Sequence, residues 1–188
     1  GLFKDDQKVI ISRDKDFIQL LDDKTILFRP TQDEVLNRNK VLEKYDIHPN
    51  NFALARAMAG DSSDNLKGVK GVGLATVAKR FPFMSNEKEV FVSDLLKYAA
   101  DKSDTLKVFE NVLLSHSLIK ENYKIMQLYS PSISIQTKNR VNEVLEQHTP
   151  EFNKTRLRGL MQKDGIGEIS LDSLFHLFNR ITSDYSLS

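Results

Sequence analysis

Between residues 68 and 73 the chain reads Gly68-Val69-Lys70-Gly71-Val72-Gly73, three glycines in six residues, with helical apolar patterns on either side. Glycine has no Cβ, so such a stretch can adopt positive φ and admit a second backbone at close range. An ordinary turn between two helices needs one glycine and gains nothing from three. The run opens a helix at Leu74, so N–H groups from about Gly71 onward project outward where the helix dipole is positive. That geometry receives phosphate. Val69 and Val72 are spaced to anchor the hairpin to a core. Lys70 at the tip, with Lys67 before it and Lys79 and Arg80 one helix on, adds phosphate contacts that are independent of base sequence. The spacing is G-x-x-G-x-G with no preceding strand, so it is neither a dinucleotide-binding fingerprint nor a Walker loop.

Periodicity around the hairpin predicts an α/β fragment followed by a mostly α region. Val9-Ile10-Ile11 predicts a buried strand over Lys8–Arg13, then a short helix over Asp14–Leu21 and a second strand over Thr25–Arg29, stopped by Pro30. Such a sheet needs more strands than this to be stable alone. Thr31 with Glu34 has capping-box spacing and predicts a helix to about Tyr45. Pro49 suits the first turn of a helix over Asn50–Ala59 that ends at Gly60, and Leu74–Arg80 is the helix after the hairpin. Phe91, Leu95, Tyr98 and Ala99 mark another helix; Leu106, Phe109 and Leu113 the next; Leu171, Leu174, Phe175, Phe178 and Ile181 the last. Ser130–Thr137, with Pro131, is expected to be a loop. The expected organisation is the end of a parallel-sheet core over 1–30, then a helical region over 31–188 with helix–hairpin–helix at about 50–81.

Charge is informative only in its distribution. With 27 basic and 26 acidic side chains in 188 residues, the net charge of +1 selects no partner. Yet Lys67, Lys70, Lys79 and Arg80 occur between Leu66 and Phe81 without an acid, and Lys154, Arg156, Arg158 and Lys163 form a second such stretch. The absence of cysteine excludes disulfides, thiol catalysis and cysteine-ligated zinc. His48, His116, His148 and His176 lack metal-site spacing, and no serine has a nucleophile-elbow context. No apolar run approaches the roughly 18 residues of a membrane span, and a cytoplasmic location is expected.

Two close acidic pairs complete the pattern, Asp14 with Asp16 and Asp61 with Asp64. The first follows a strand, where α/β enzymes place functional groups; the second follows a helix, just ahead of the hairpin. Carboxylates are the ligands that Mg²⁺ and Mn²⁺ prefer. The same residues also suit plain structural roles, Asp14 as a helix cap and Asp61 and Asp64 in Asx turns.

Taken in order, Val9-Ile10-Ile11 with Ser12-Arg13-Asp14-Lys15-Asp16-Phe17, then Gly60-Asp61-Ser62-Ser63-Asp64-Asn65-Leu66 and the glycine hairpin, resemble the 5′-nuclease family. That family includes flap endonucleases, the 5′-nuclease domains of bacterial DNA polymerases, and phage RNase H. The later helices resemble the helical tail of phage members more loosely. The resemblance implies divalent-metal ligands at Asp14, Asp16, Asp61 and Asp64, with Mg²⁺ or Mn²⁺ as the ion. It implies duplex phosphates at Gly68, Gly71 and Gly73, and K⁺ on the carbonyls of Val69 and Val72. The implied partners are duplex or flap DNA, RNA–DNA hybrid, a separate N-terminal nuclease segment, and a single-strand-binding protein or clamp. The implied activity is metal-dependent hydrolysis near 5′ ends during flap or primer removal. The family's first metal-binding strand, helical arch and Glu-Ala-Asp-Asp-type segment have no counterpart here. A DNA-binding C-terminal portion, inactive by itself, is therefore expected. A non-catalytic duplex-binding module is the alternative.

Overall fold

The computed structural model describes residues 5–129, 133–147, 151–167 and 169–185, in two compact units that divide between Ser132 and Ile133. It is mostly helical with one small sheet. Strands β1 (Lys8–Ile11) and β2 (Thr25–Arg29) run parallel, Lys8 opposite Thr25 and Ile11 opposite Phe28. The segment between them makes a 3-10 turn over Lys15–Leu20 that buries Ile18 and Gln19.

Two expectations for this region need correction. The strand expected over Lys8–Arg13 stops at Ile11 and is not buried: Val9 is 56% exposed and Ile11 69%. Side chains alternate across a strand, so Ile10 meets the core while its neighbours face outward on the edge of the sheet. The helix expected from Thr31 is also not formed. After a short 3-10 turn, Asp33 takes positive φ (46°) and β3 (Glu34–Leu36) pairs antiparallel with β2. Glu34 is held there by Arg29 at 3.1 Å and by Lys44, so the glutamate expected to cap a helix instead closes a strand pair. Helix α1 begins later, at Arg38–Tyr45, capped by Asn37, whose side chain accepts from the Lys40 amide at 2.9 Å.

Helix α2 (Pro49–Ala59) is the axis of the first unit. Phe52, Ala53, Leu54, Ala55, Ala57 and Met58 are all buried, so it is apolar nearly all round and must lie inside. The 3-10 turn after β1 packs on it, as does α6 (His116–Met126). Helices α3 (Leu74–Arg80), α4 (Val92–Asp101) and α5 (Lys107–Leu114) close the unit around Phe81, whose ring meets Phe83, Tyr98 and Phe109 at centroid distances of 5.5–6.1 Å. Phe91 and Leu106, expected inside helices α4 and α5, stand just before them and are exposed.

Three buried amides stitch irregular backbone to these helices. Asn51 donates to the carbonyls of Met84, Asn86 and Lys88 and accepts from Val90 N–H. Gln19 donates to Asp16 and Met126 carbonyls and accepts from Leu128 N–H. Asn122 donates to the carbonyls of Ala57 at 3.0 Å and Lys67 at 2.8 Å. Each satisfies backbone groups that would otherwise be buried unpaired.

The second unit holds α7 (Ile135–Gln147), α8 (Lys154–Lys163) and α9 (Leu171–Tyr185). Residues 135–137, expected in a loop, form the first turn of α7; the Ser130–Ser132 part of that expectation lies outside the described residues, as does His148. Phe152 packs on Phe175 and Phe178, and Lys154 bonds Asp172 at 2.7 Å while lying over the Phe175 ring.

Candidate nucleic-acid interface and carboxylate site

Helix α2 ends at Gly60, with φ of 76°, and its amide closes on Arg56 O at 2.8 Å. Asp61 and Leu66 then exchange backbone hydrogen bonds of 2.8 and 2.7 Å, which pinches residues 62–65 into a tight loop. The chain returns alongside the helix end. Val69 N–H donates to Met58 O at 2.8 Å, and Val72 N–H to Val69 O at 3.0 Å. The second bond closes a four-residue turn with Gly71 (φ 77°) at its third position, where a type II turn needs glycine.

This turn has a buried base and an open tip. Val69 and Val72 are 3% and 5% exposed, so the valines do anchor it. Lys67, Lys70, Gly71 and Gly73 are exposed, and nothing lies within 4 Å of where a Cβ would stand on Gly71 or Gly73. Among the described residues, the amides of Gly71 and Gly73 donate to no protein acceptor. The Lys70 carbonyl accepts from Asn111 of α5 at 3.0 Å, which ties the tip to the helical body. Lys79 and Arg80 lie at the far end of α3, about 9 Å along the axis from Gly73. Gly68 differs from the other two hairpin glycines: a Cβ there would stand 2.1 Å from the Ala59 carbonyl oxygen. Its small size serves internal packing.

The four aspartates converge on one side of α2. Asp14, Asp61 and Asp64 line a shared pocket with Arg13, Lys15 and Arg56. Asp14 accepts from the Asp16 amide at 2.8 Å, as a cap of the 3-10 turn. Asp61 Oδ1 accepts from Ser63 N–H at 2.9 Å and from Ser63 Oγ at 2.6 Å. Between the two pairs stands Arg56. Its Nε donates to Asp16 Oδ1 at 3.0 Å and its Nη2 to Asp61 Oδ2. All three side chains are largely enclosed, with 12%, 18% and 11% exposure for Arg56, Asp16 and Asp61.

The electrostatics follow from these partners. Hydrogen bonds from Ser63, reinforced by Arg56, hold Asp61 down at a pKa of about 2. Asp16 is pushed upward by burial, which outweighs Arg56, with Asp14 and Asp61 adding to the rise. Burial alone would lower Arg56, but the charge of Asp16 and the bond to Asp61 raise it, so it stays cationic.

Among the described residues, no three His, Asp or Glu side chains form a group able to hold a metal ion. The donor set agrees: Asp61 has both oxygens engaged, Asp16 has one, and Asp14 has one on a backbone amide. In this arrangement Arg56 is the shared partner of Asp16 and Asp61. Sequence reasoning missed Arg56, although a signal was there. It is the sole charged residue in the eleven-residue α2, five positions before Asp61.

No family model matches the chain. Among curated proteins it is 38% identical over 88 residues to a 5′-3′ exonuclease of Buchnera aphidicola, covering 47% of this chain and 31% of that protein. It is 26% identical over 171 residues to the 5′-3′ exonuclease of Aquifex aeolicus, covering 88% of this chain and 53% of the other. The thermostable DNA polymerase I of Thermus aquaticus is 41% identical over 70 residues, covering 37% of this chain and 8% of that protein. The chain thus spans between about a third and a half of the two exonucleases. In fold it is similar to T5 5′-exonuclease with bound zinc, at a TM-score of 0.59 and 22% identity, covering 73% of this chain and 52% of the other. It is equally similar to the bacteriophage T5 flap endonuclease in a pseudo-enzyme–product complex with DNA and metal ions, at 0.59 and 21%, covering 74% and 53%. By sequence the chain is a homologue of proteins named 5′-3′ exonuclease and DNA polymerase I, over the shares of their length given above.

Proposed function

We propose that this chain is the DNA-gripping portion of a metal-dependent 5′-3′ exonuclease or flap endonuclease, and that the turn at Val69–Gly73 holds duplex phosphates. The observation that carries the reading is the combination of open amides at Gly71 and Gly73 with buried valines beneath them. A backbone donor that is rigidly mounted and unobstructed binds an anion without reorganising. Lys67 and Lys70 flank it, and Lys79 and Arg80 extend the basic surface along α3. The names of the sequence relatives support exonuclease chemistry near 5′ ends. K⁺ at the carbonyls of Val69 and Val72 belongs to the same proposal. So do Mg²⁺ or Mn²⁺ at the aspartates, though only in a state where Arg56 has released Asp16 and Asp61. Duplex and 5′-flap DNA are the ligands.

The experiment is fluorescence anisotropy of a labelled 5′-flap duplex against a KCl series in EDTA. The reading predicts affinity that falls linearly on a log–log plot with salt, as counterion release requires. Affinity that is absent or indifferent to salt would sink it. A specific observation favours one second reading, a non-catalytic duplex-binding module: Arg56 already satisfies the aspartates. Adding Mg²⁺ together with a separate N-terminal nuclease segment to the bound flap separates the two, since only the nuclease reading permits cleavage.

A further inference from the structure

The aspartates of the site come from two motifs some 45 residues apart in sequence, and one guanidinium joins them. Arg56 projects from the last turn of α2, the most buried helix of the fold, so its backbone has little freedom to move. It reaches Asp16, on the turn behind β1, with Nε, and Asp61, at the mouth of the hairpin loop, with Nη2. A planar guanidinium can serve two carboxylates at once in a way that a lysine ammonium on a flexible stem does not. At 12% exposure it is not a surface ion pair of the kind that contributes nothing. Asp16 and Asp61 would repel as like charges, and the guanidinium bonded to both offsets that repulsion between the turn behind β1 and the loop after α2.

We infer that Arg56 is a positioning residue that acts as the resident cation of the Asp16–Asp61 pair, holding the two motifs in register when no metal is bound and competing with a divalent ion for the same oxygens. The inference rests on the nuclease reading only for its second half. The first half, the lock, needs no metal.

The mechanism follows from the donor count. A divalent ion would take Asp61 at Oδ2, where it would compete with Arg56, because Oδ1 already accepts both bonds from Ser63. The Ser63 bonds are local and include a backbone amide, so the guanidinium is the partner that exchanges. Once released, Arg56 remains a cation beside the pocket that also holds Asp14 and Asp64.

The test uses the full chain, Arg56→Gln and Arg56→Lys, with Mn²⁺ alone as the probe. In EDTA, amide hydrogen exchange is followed at Asp61–Leu66, the segment closed by the paired backbone bonds. Arg56→Gln should exchange there several-fold faster than the parent, with Arg56→Lys between, because one ammonium reaches both carboxylates poorly. Mn²⁺ titrated by electron paramagnetic resonance should bind Arg56→Gln about tenfold more tightly than the parent, since a competing unit charge has gone. Unchanged exchange in EDTA overturns the lock. Mn²⁺ affinity that is equal or weaker in Arg56→Gln, or absent in both proteins, overturns the competition. Flap-DNA affinity measured in EDTA on the same samples reports on the hairpin separately, so loss of that reading is distinguishable from loss of this one.

Discussion

Gly68 lies against Gly60 so closely that a Cβ built on Gly60 would stand 2.3 Å from the Gly68 amide nitrogen. Two glycines eight residues apart thereby let the outgoing and returning backbones touch, and the hairpin is mounted directly on the end of α2. Gly68→Ala is expected to destabilise the fold by about 2 kcal/mol or more, because the Ala59 backbone cannot yield. Gly73→Ala has open space and φ of −113°, so its melting temperature should stay near the parent's while flap-DNA affinity falls. Paired thermal melts and binding curves would show whether the two effects separate in this way.

Asn122 holds two backbone segments at once, the end of α2 through Ala57 O and the hairpin approach through Lys67 O. Replacement by leucine, which keeps the branching of the side chain, leaves one buried and one part-buried carbonyl without that donor and should cost about 1–3 kcal/mol in chemical denaturation. A loss well under about 0.5 kcal/mol would show that neither bond matters to the fold.

Half-buried Asn111 donates a solvent-exposed hydrogen bond to the Lys70 carbonyl of the turn. Asn111→Ala should leave global stability within about 0.5 kcal/mol of the parent. Its effect belongs in binding: a looser tip must be ordered on contact, so DNA affinity should drop a few-fold. Lys70→Ala should act differently, lowering the slope of affinity against salt by about one unit.

His48 supplies the pH dependence. It precedes α2, its Nδ1 accepts from the Asn50 amide at 3.2 Å, and Arg38 Nη2 lies 3.2 Å from Nε2. Burial and then the Arg38 charge hold its pKa below the ordinary 6.5, with Glu87 pulling the other way. Only the unprotonated Nδ1 can cap the helix. As pH falls through 6.5, the unfolded chain takes up a proton that the folded chain refuses, so this contribution is full above that value and shrinks below it. Melting temperature should fall between about pH 7 and pH 5, and His48→Asn, which caps without titrating, should flatten that fall.

Much of the first 80 residues was legible from local signals. Pro49 and Gly60 bound α2, the β-branched runs mark β1 and β2, and the valines of the hairpin are buried as their spacing implied. The misreadings occurred where a distant partner overrode a local preference. Thr31 and Glu34 have the spacing of a capping box, yet Arg29 and Lys44 claim Glu34 and the segment pairs as β3. Helices α6, α7 and α8 fall in the region expected to be helical, but no apolar stripe placed them individually, and the first of them is recognised by what it packs on.

The sequence by itself determined the chemistry of the hairpin, because glycine's freedom, valine's apolarity and lysine's charge are properties of single residues at short spacing. It also brought out the four aspartates as candidates. What those aspartates do was decided only by the tertiary structure, which sets Arg56 between Asp16 and Asp61. A carboxylate's partner is whichever cation the fold brings within about 3 Å. That distance depends on how α2 packs against the 3-10 turn behind β1, which no local pattern records.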